Sequence, residues 1–508
     1  MFPGISRSFP KKPTVDTPAP DFALQYEALR PCRDLMGGTE VMRAAGDRYI
    51  QKKEAEAKER YEARVQRTVL RNIFAQTVAY NRGQVFGSQV VMDKTDTPLT
   101  DEQMESFKAW AENVDQQGSN LTSWAGDVFS SGLIDGVTFA LVDYPSITTR
   151  DNGGIVEYQG EDGEWRPKTA EADRAEGWQP YLVHVPASQV LDCRAEWRKG
   201  RRVITHFRYI EQVMEQSVDN PWKMKSVAYI HAYWPDKWQV WRKKDGEDEF
   251  AVVKEGRMTL DEIPVAVFVA GQKRGAFTAR PALMDLAWLN IRHWQATSEQ
   301  CDLLSYARLP VWYASGIEPQ RDDAGNEQKI TLGPGYFCTF TDSAGKIANV
   351  GVDPASVEAG RNELKDLEES MAAYGLQLLK TPTGGKQTAT EVERDSRENN
   401  SQLVNWALDF QDFLENVLRF VALWWGMDDG PSVKVNDDFA ASADVNFLKS
   451  LHDSGVISKA TLATLLVRAK VLPDDFDFNE EAAKLAQDVG VNGGGGFNRA
   501  LSDFMARK

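Results

Sequence analysis

The sequence predicts an α+β chain built from several domains. Three observations carry that class: long tracts of helical periodicity on both sides of the chain's middle, a stretch from Tyr181 to Ala270 of short alternating or β-branched runs, and a length of 508 residues. That length is material for about three or four domain-sized units rather than one core. An apolar fraction of 42% with 15 tryptophans is enough to build real cores, and excludes disorder for most of the chain. Acidic residues outnumber basic ones, 75 to 59, for a formal charge of −16. A surface that grips duplex nucleic acid releases counterions through clustered Lys and Arg and usually leaves its domain basic, so a duplex-gripping protein is excluded. The longest nearly apolar run, Phe420 to Met427, is far short of the ~20 residues that span a bilayer. The N-terminus lacks a charged-then-apolar signal pattern, so a soluble, unexported protein is expected.

The elements follow in order. Residues 1–37 hold six prolines together with Lys11 and Lys12, which predicts an extended arm. A helical tract is expected from about Thr39 to Tyr80, with Tyr61, Val65, Val69 and Phe74 along one side. Thr100 and Gln103 form a capping box that opens the next helix. Leu121, Trp124, Ala125, Val128 and Phe129 then follow the i, i+3, i+4, i+7, i+8 spacing of a buried helical stripe. That helix ends near Gly136 and feeds a strand, Val137 to Asp143.

The sheet region holds Val203 to Tyr209, Val227 to Trp234 and Val265 to Val269, punctuated by Asp236, Asp245 and Gly246. Helical periodicity returns from Pro281 to about Leu309, carrying Leu283, Leu286, Ala287, Trp294, Cys301 and Leu304. Residues 310–353 read as short strands, Val311 to Ala314, Lys329 to Leu332 and Tyr336 to Phe340. Asp322-Asp323-Ala324-Gly325 and Gly333-Pro334-Gly335 supply the turn chemistry between them. An insertion of about 45 residues cannot bury a stable core alone, so it must share strands or apolar surface with another copy or rest on the helices that deliver it. Val311, Tyr336, Cys338 and Phe340 are its candidate interface residues.

Asp353 followed by Pro354 at the first helical position starts a helix that ends at Gly375. Residues 376–388 show no clear periodicity. A capping box at Thr388 and Glu391 then launches the longest helix, to about Trp425, roughly 55 Å if continuous. Its first half, Glu391 through Gln402, is almost wholly polar. Its second half carries Leu403, Trp406, Ala407, Phe410, Phe413, Leu414, Val417, Phe420, Val421 and Trp424 as an apolar stripe, so the helix meets two environments. A short strand, Val433 to Val435, and small helices at Ser458 to Lys470 and Asn479 to Val489 follow. The tetraglycine Gly493 to Gly496 leads to a last amphipathic piece.

The motifs with chemical promise weaken on inspection. Pro382-Thr383-Gly384-Gly385-Lys386-Gln387-Thr388 looks like a phosphate loop, but the position that needs the first Gly is Lys380 and the residue after the lysine is Gln387. A helix also precedes it where a strand should. Two readings stay open: a flexible interhelical loop, and a mobile loop that presents Lys380 and Lys386 to a passing polyanion. Cys32, Cys193, Cys301 and Cys338 lie far apart, and the five histidines are scattered, so no zinc, redox or HExxH spacing exists. No metal, cofactor or catalytic residue is expected. Carboxylate runs such as Asp474, Asp475 and Asp477 read as solvated faces. Trp222, Trp234, Trp238 and Trp241 read as core or subunit interface rather than a sugar-stacking platform.

The order of elements, an α/β half, a helix, a small β insertion, a returning helix, a Gly/Thr loop, a very long helix and a helical C-terminus, resembles the portal proteins of tailed bacteriophages over about residues 40–490. Local matches support it: Tyr61 with Arg64, Arg67, Thr68 and Asn72; Val114-Asp115 through Gly118, Leu121, Trp124, Gly136 and Val142-Asp143-Tyr144-Pro145; Thr388-Ala389-Thr390-Glu391 with Ser401 and Leu403; and Val435-Asn436-Asp437-Asp438-Phe439. The resemblance implies an α/β wing at 38–280, stem helices at 281–309 and 354–375, and a β clip at 310–353. It further implies a channel loop at 376–388, a long wing helix at 389–427, and a crown and tail at 428–508. Residues 1–37 match nothing in the pattern. Within the loop, Lys380, Thr381, Thr383, Gly384, Gly385, Lys386 and Gln387 would face the DNA.

The implied function is a non-enzymatic ring of about twelve subunits at one capsid vertex, through which double-stranded DNA is packaged and ejected. Its implied partners are terminase, adaptor and head-completion proteins, and the capsid and scaffold proteins. Its location would be the virion, after assembly in the host cytoplasm, with no membrane role. Another head-completion or adaptor protein would share the acidity and oligomerisation. A nucleic-acid-processing enzyme would need a metal-binding carboxylate set or a true phosphate loop.

Overall fold

The computed structural model describes residues 13–94, 99–145, 149–152, 155–159, 163–167, 169, 176–198, 200–217, 220–243, 249–308, 311–315, 346–374, 389–436, 452, 458–468, 472, 476, 478 and 481. The chain divides into two compact units, residues 1–386 with 405–436, and residues 387–404 with 437–508. Helices are α1 (Pro20–Met36), α2 (Gly38–Ala45), α3 (Lys58–Arg67), α4 (Ile73–Val85), α5 (Asp101–Ala111), α6 (Leu121–Asp135), α7 (Met284–Arg308), α8 (Pro354–Ala373), α9 (Ala389–Trp424) and α10 (Lys459–Arg468). Strands are β1 (Val91–Asp93), β2 (Val137–Asp143), β3 (Thr149–Asn152), β4 (Ile155–Gln159), β5 (Trp165–Pro167), β6 (Tyr181–Pro186), β7 (Val190–Arg198), β8 (Arg201–Ser217) and β9 (Asn220–Tyr233). They continue as β10 (Lys237–Lys243), β11 (Phe250–Arg257), β12 (Val265–Val269), β13 (Gln272–Lys273), β14 (Ala279–Arg280), β15 (Val311–Ser315), β16 (Lys346–Val350) and β17 (Ser432–Lys434). The fold is α+β, as expected.

In the first unit, β2 is the middle of an antiparallel sheet in the order β12-β2-β6. Its residues Val137 to Val142 are all buried, because α6 and the second half of α9 cover one face and a five-stranded sheet, β11-β10-β9-β8-β7, lies against the other. Phe139 meets Phe207 across that second boundary at 5.6 Å. On the helical side Phe410 is the hub, with ring contacts to Phe86, Phe129, Phe268 and Phe413 at 4.9 to 5.5 Å. Trp406 and Trp424 bury their apolar bodies here and donate their indole N–H groups to the carbonyls of Ala270 (2.9 Å) and Val142 (3.0 Å), so neither ring carries an orphan donor. The predicted stripe Leu121, Trp124, Ala125, Val128 and Phe129 is buried throughout. In the second unit, α10 buries Leu462, Ala463 and Leu466.

Two expectations are corrected. Residues 20–36 are the helix α1, not an extended arm. Pro20 occupies its first turn, where a missing N–H costs nothing, and Phe22, Leu29, Cys32 and Leu35 are buried on its inner side. Gln25 ties it to the carbonyls of Ala279 (2.5 Å) and Asp135 (3.2 Å), and Arg33 grips the fully buried Asp135 carboxylate through two nitrogens. The single helical tract from Thr39 to Tyr80 is three helices. Gly46, at φ +48°, breaks the first, and Thr68 turns extended to end α3 before Asn72 caps α4 through Ala75 N–H at 3.0 Å.

The tryptophan group also divides. Trp238 packs against the core, while Trp222 is 92% exposed. It sits where β8 and β9 outrun their outer neighbours, since β7 pairs with β8 only as far as Tyr209 and β10 with β9 only from Tyr229. Cys32 and Cys193 are buried free thiols and Cys301 is half-buried; Cys338 lies outside the described residues. Among the described residues no helix is long and apolar enough to cross a membrane.

Candidate functional site

Helix α7 is fastened to the N-terminal helices by polar side chains along its length. The Asn290 side chain accepts from Phe74 N–H and donates to the Arg71 carbonyl, both at 2.9 Å. Arg64, almost wholly buried, donates through Nε and Nη2 to the two oxygens of Glu56 (2.8 and 2.7 Å) and through Nη1 to Ser298 Oγ (3.1 Å). Arg60 and Lys53 pair with Asp302 at 3.3 and 3.5 Å, and the Arg60 guanidinium lies over the Tyr306 ring at 4.3 Å. Gln295 donates to the Tyr49 carbonyl at 2.8 Å. Of the residues that the sequence patterns singled out here, Tyr61 donates to the Ile50 carbonyl (2.9 Å), Thr68 to the Arg64 carbonyl (2.9 Å), and Asn72 to the Leu35 carbonyl (2.6 Å). Their part is to hold this foundation together.

Helix α8 returns antiparallel to α7. Arg292 pairs with Glu363 (2.6 Å), His293 Nε2 lies 3.4 Å from Glu368, and Gln300 donates to the Val357 carbonyl at 2.9 Å, so from the Arg292–His293 turn to Gln300 the partners fall back along α8 from Glu363 and Glu368 to Val357. Burial pushes the His293 pKa down, and the Glu368 carboxylate only partly offsets it. Gly360 allows the approach, since a Cβ there would overlap the Gln300 amide. Asp353 caps α8 through Ala355 N–H at 3.1 Å, with Pro354 at its first position. Between the helices lies an antiparallel strand pair, β15 with β16, in register Val311 opposite Val350 through Ser315 opposite Lys346. An open groove of about 970 Å³ runs along the helix pair, lined by Gln300, Leu304, Ala307, Val357, Arg361 and Leu364 among others.

Of the predicted site residues, Val311 opens β15. Tyr336, Cys338 and Phe340 lie outside the described residues, as do Lys380, Thr381, Thr383, Gly384, Gly385, Lys386 and Gln387, and the strand candidate Lys329 to Leu332. The capping residue Thr388 and the helix at Asn479 to Val489 fall outside them as well, apart from the single residue Glu481. Sequence reasoning did not find the clamps of Asn290 and Arg64, which carry no apolar signal. It also passed over the hairpin between β7 and β8, where Arg194, Arg198, Arg201 and Arg202 fall within nine residues of an acidic chain. A local charge count, in place of the whole-chain sum, would have found it.

A family model described as a domain of unknown function (DUF4055) matches residues 282–425, the span that holds α7, the strand pair, α8 and α9. No curated protein matches the sequence. Among solved structures, the chain is similar to a chain in the neck of a native gene transfer agent particle computed with C12 symmetry, at 10% identity and a TM-score of 0.41, over 78% of this chain and 89% of that one. Similarity to the neck of the empty particle, computed with C6 symmetry, has the same TM-score and coverage at 9% identity. A chain of the native virion of the gene transfer agent matches at 10% identity and a TM-score of 0.39.

Proposed function

We propose that this chain is the subunit of a portal ring in a tailed phage or phage-like particle, a structural, non-enzymatic protein through which double-stranded DNA passes. The observation that carries the reading is the order of parts: an anchored helix, a strand pair, a helix that returns antiparallel, and the 36-residue helix α9. In this reading α7 and α8 are the stem, residues 310–353 the clip, 376–388 the channel loop, 38–280 with 389–427 the wing, and 428–508 the crown. Helix α1 packs into the same body as the wing. A two-stranded pair is marginal in water, so the clip would gain its stability from strands or apolar surface of neighbouring copies. The acidic surplus suits a bore, because clustered cations would hold DNA through counterion release where it must slide. Lys380 and Lys386 give each subunit a shallow, salt-screened attraction. The ring of about twelve would receive terminase during packaging and an adaptor afterwards.

The test is negative-stain imaging of the purified chain, with ring-shaped particles bearing a central hole expected. A protein that stays monomeric at micromolar concentration across salt conditions overturns the reading. Deleting Thr383 to Lys386 should leave rings intact and impair DNA packaging or retention. Loss of ring formation, or unchanged packaging and retention, refutes the channel-loop assignment.

A further inference from the structure

The β7–β8 hairpin end stands apart from the rest of this acidic chain. Its register sets Arg198 directly opposite Arg201, and Trp197 directly opposite Arg202. Like charges facing each other across two strands destabilise a hairpin, so this pairing is not there for the fold's sake. The carboxylates at hand compensate it only in part. Arg198 lies 3.5 Å from Glu196, while Arg201 and Arg419 of α9 converge on one oxygen of Glu262, at 3.4 and 2.8 Å. Arg202 has no carboxylate partner among the described residues; its guanidinium lies 5.5 Å from the centre of the Phe277 ring. Arg201, Arg202 and Arg419 line one open cavity of about 390 Å³, whose one acid among the described residues is Glu262. Beside Arg202 on the facing strand, Trp197 is 77% exposed.

We propose that this hairpin end and its cavity form a binding site for the phosphodiester backbone of nucleic acid, separate from the channel loop. The chemistry is particular to phosphate. Among the described residues of the hairpin end the basic groups are arginines, whose planar forks grip phosphate oxygens through two parallel N–H bonds, where lysine would act as a point charge. Glu262 Oε1, held between Arg201 and Arg419, shows that the cavity already fixes one anionic oxygen between two guanidiniums, with Arg202 lining the same cavity and Arg198 opposite Arg201 on the facing strand. The exposed indole of Trp197 supplies a face for a base or sugar. An acidic chain around a small arginine site gives local contact without a continuous grip, so binding is weak and strongly dependent on salt.

The site rests on the portal reading only in supposing that nucleic acid is present where the protein works, and its test is independent of ring formation. Binding of the full-length protein to a fluorescent random-sequence duplex of about 30 base pairs is measured by anisotropy between about 30 and 200 mM salt. Arg198→Gln/Arg202→Gln leaves the Glu262 bridge in place and should weaken binding at least ~10-fold at low salt. It should also lower the slope of log affinity against log salt by about 2, one for each phosphate that is no longer neutralised. Trp197→Phe should weaken binding less and leave the slope unchanged. Unaltered far-UV circular dichroism and melting confirm the fold, and imaging checks ring formation separately. Wild-type protein that does not bind the duplex at the lowest salt overturns the proposal, as does a double variant with unchanged affinity and slope. A double variant that binds DNA as wild type but no longer assembles assigns the patch to an acidic face of a second copy, and overturns it too. Rings that never form while the arginine-dependent binding persists would count against the portal reading alone.

Discussion

Replacing Glu56 by glutamine removes the one charge that balances a buried guanidinium, and the cost can be worked from the geometry. The side chains of Arg64 and Glu56 are 3% and 4% exposed, and the two short bonds between them are joined by bonds from Arg64 to Ser298 Oγ and to the Gln51 carbonyl, both at 3.1 Å. Deleting one partner of such a pair costs about 3–5 kcal/mol, because the remaining ion stays buried without its counter-charge. The substituted amide would keep an acceptor oxygen, so Glu56→Gln belongs at the low end and Glu56→Ala at the high end. The melting temperature should fall by roughly 3 °C or more, at ~1 °C per kcal/mol for a unit of this size. Acidity gives a second readout with a fixed sign. Bonds from Arg64 hold the Glu56 pKa down at about 2, well below the ordinary carboxylate value of ~4.3. A depressed folded-state pKa contributes stability that is complete above the unfolded value and is lost as pH falls through the folded one. The gap between wild type and Glu56→Gln should therefore be flat from about pH 8 to about 5 and shrink toward pH ~2. A gap under about 1 kcal/mol at neutral pH, or one that widens on acidification, would refute the argument.

Two further substitutions test the body of the fold. Gly136 sits at φ +77° with its Cα side against the Arg280 carbonyl, which a Cβ would approach to 2.8 Å; Gly136→Ala should cost at least ~1 kcal/mol in a urea titration, and a neutral result would mean that the turn after α6 can relax. Phe410→Ala empties the centre of a cluster of aromatic rings and should cost about 3–5 kcal/mol, read in the same titration with an unchanged m-value. A loss below ~1.5 kcal/mol would show that Phe86, Phe129, Phe268 and Phe413 collapse into the space.

Local signals made much of the fold legible. The Asp353-Pro354 start of α8, the Thr100 and Gln103 box of α5 and the stripe of α6 depend on neighbours within one or two turns, and each is found where it was expected. Helix α1 was missed because its prolines suggested an open arm, whereas its order comes from Gln25 and Arg33 bonding to Ala279 and Asp135, both more than a hundred residues away in sequence. The hairpin arginines were hidden for a related reason. A net charge of −16 averages over the chain, while an opposed Arg198 and Arg201 follows from a register that no composition reports. Val311 is the one predicted site residue among those described, and it opens β15 where a short strand bounded by turn chemistry was expected.

The packing of α7 was illegible for a more instructive reason. Asn290, Trp294, Ser298 and Asp302 follow one another at steps of four, which places them along one side of the helix, and all four are buried. An apolar periodicity search sees only Trp294 in that row and reads the rest as a solvated face. The row faces helices that supply matching polar groups: the backbone of Arg71 and Phe74 for Asn290, the Arg64 guanidinium for Ser298, and Arg60 with Lys53 for Asp302. Apolar contacts alone would tolerate a slide of α7 by one turn, about 5.4 Å. Here such a slide would carry Trp294 to the station of Asn290 or Ser298 and leave buried donors without acceptors, each a loss of about 1–3 kcal/mol. Directional bonds therefore set the register of α7 where shape would not. Through the antiparallel pairing of Arg292 with Glu363 and Gln300 with Val357, they set that of α8 as well. A strand pair carried between two helices so fixed is held at a defined height relative to the body of the subunit, which is what the proposed ring would require of a part that has to meet its neighbour in register.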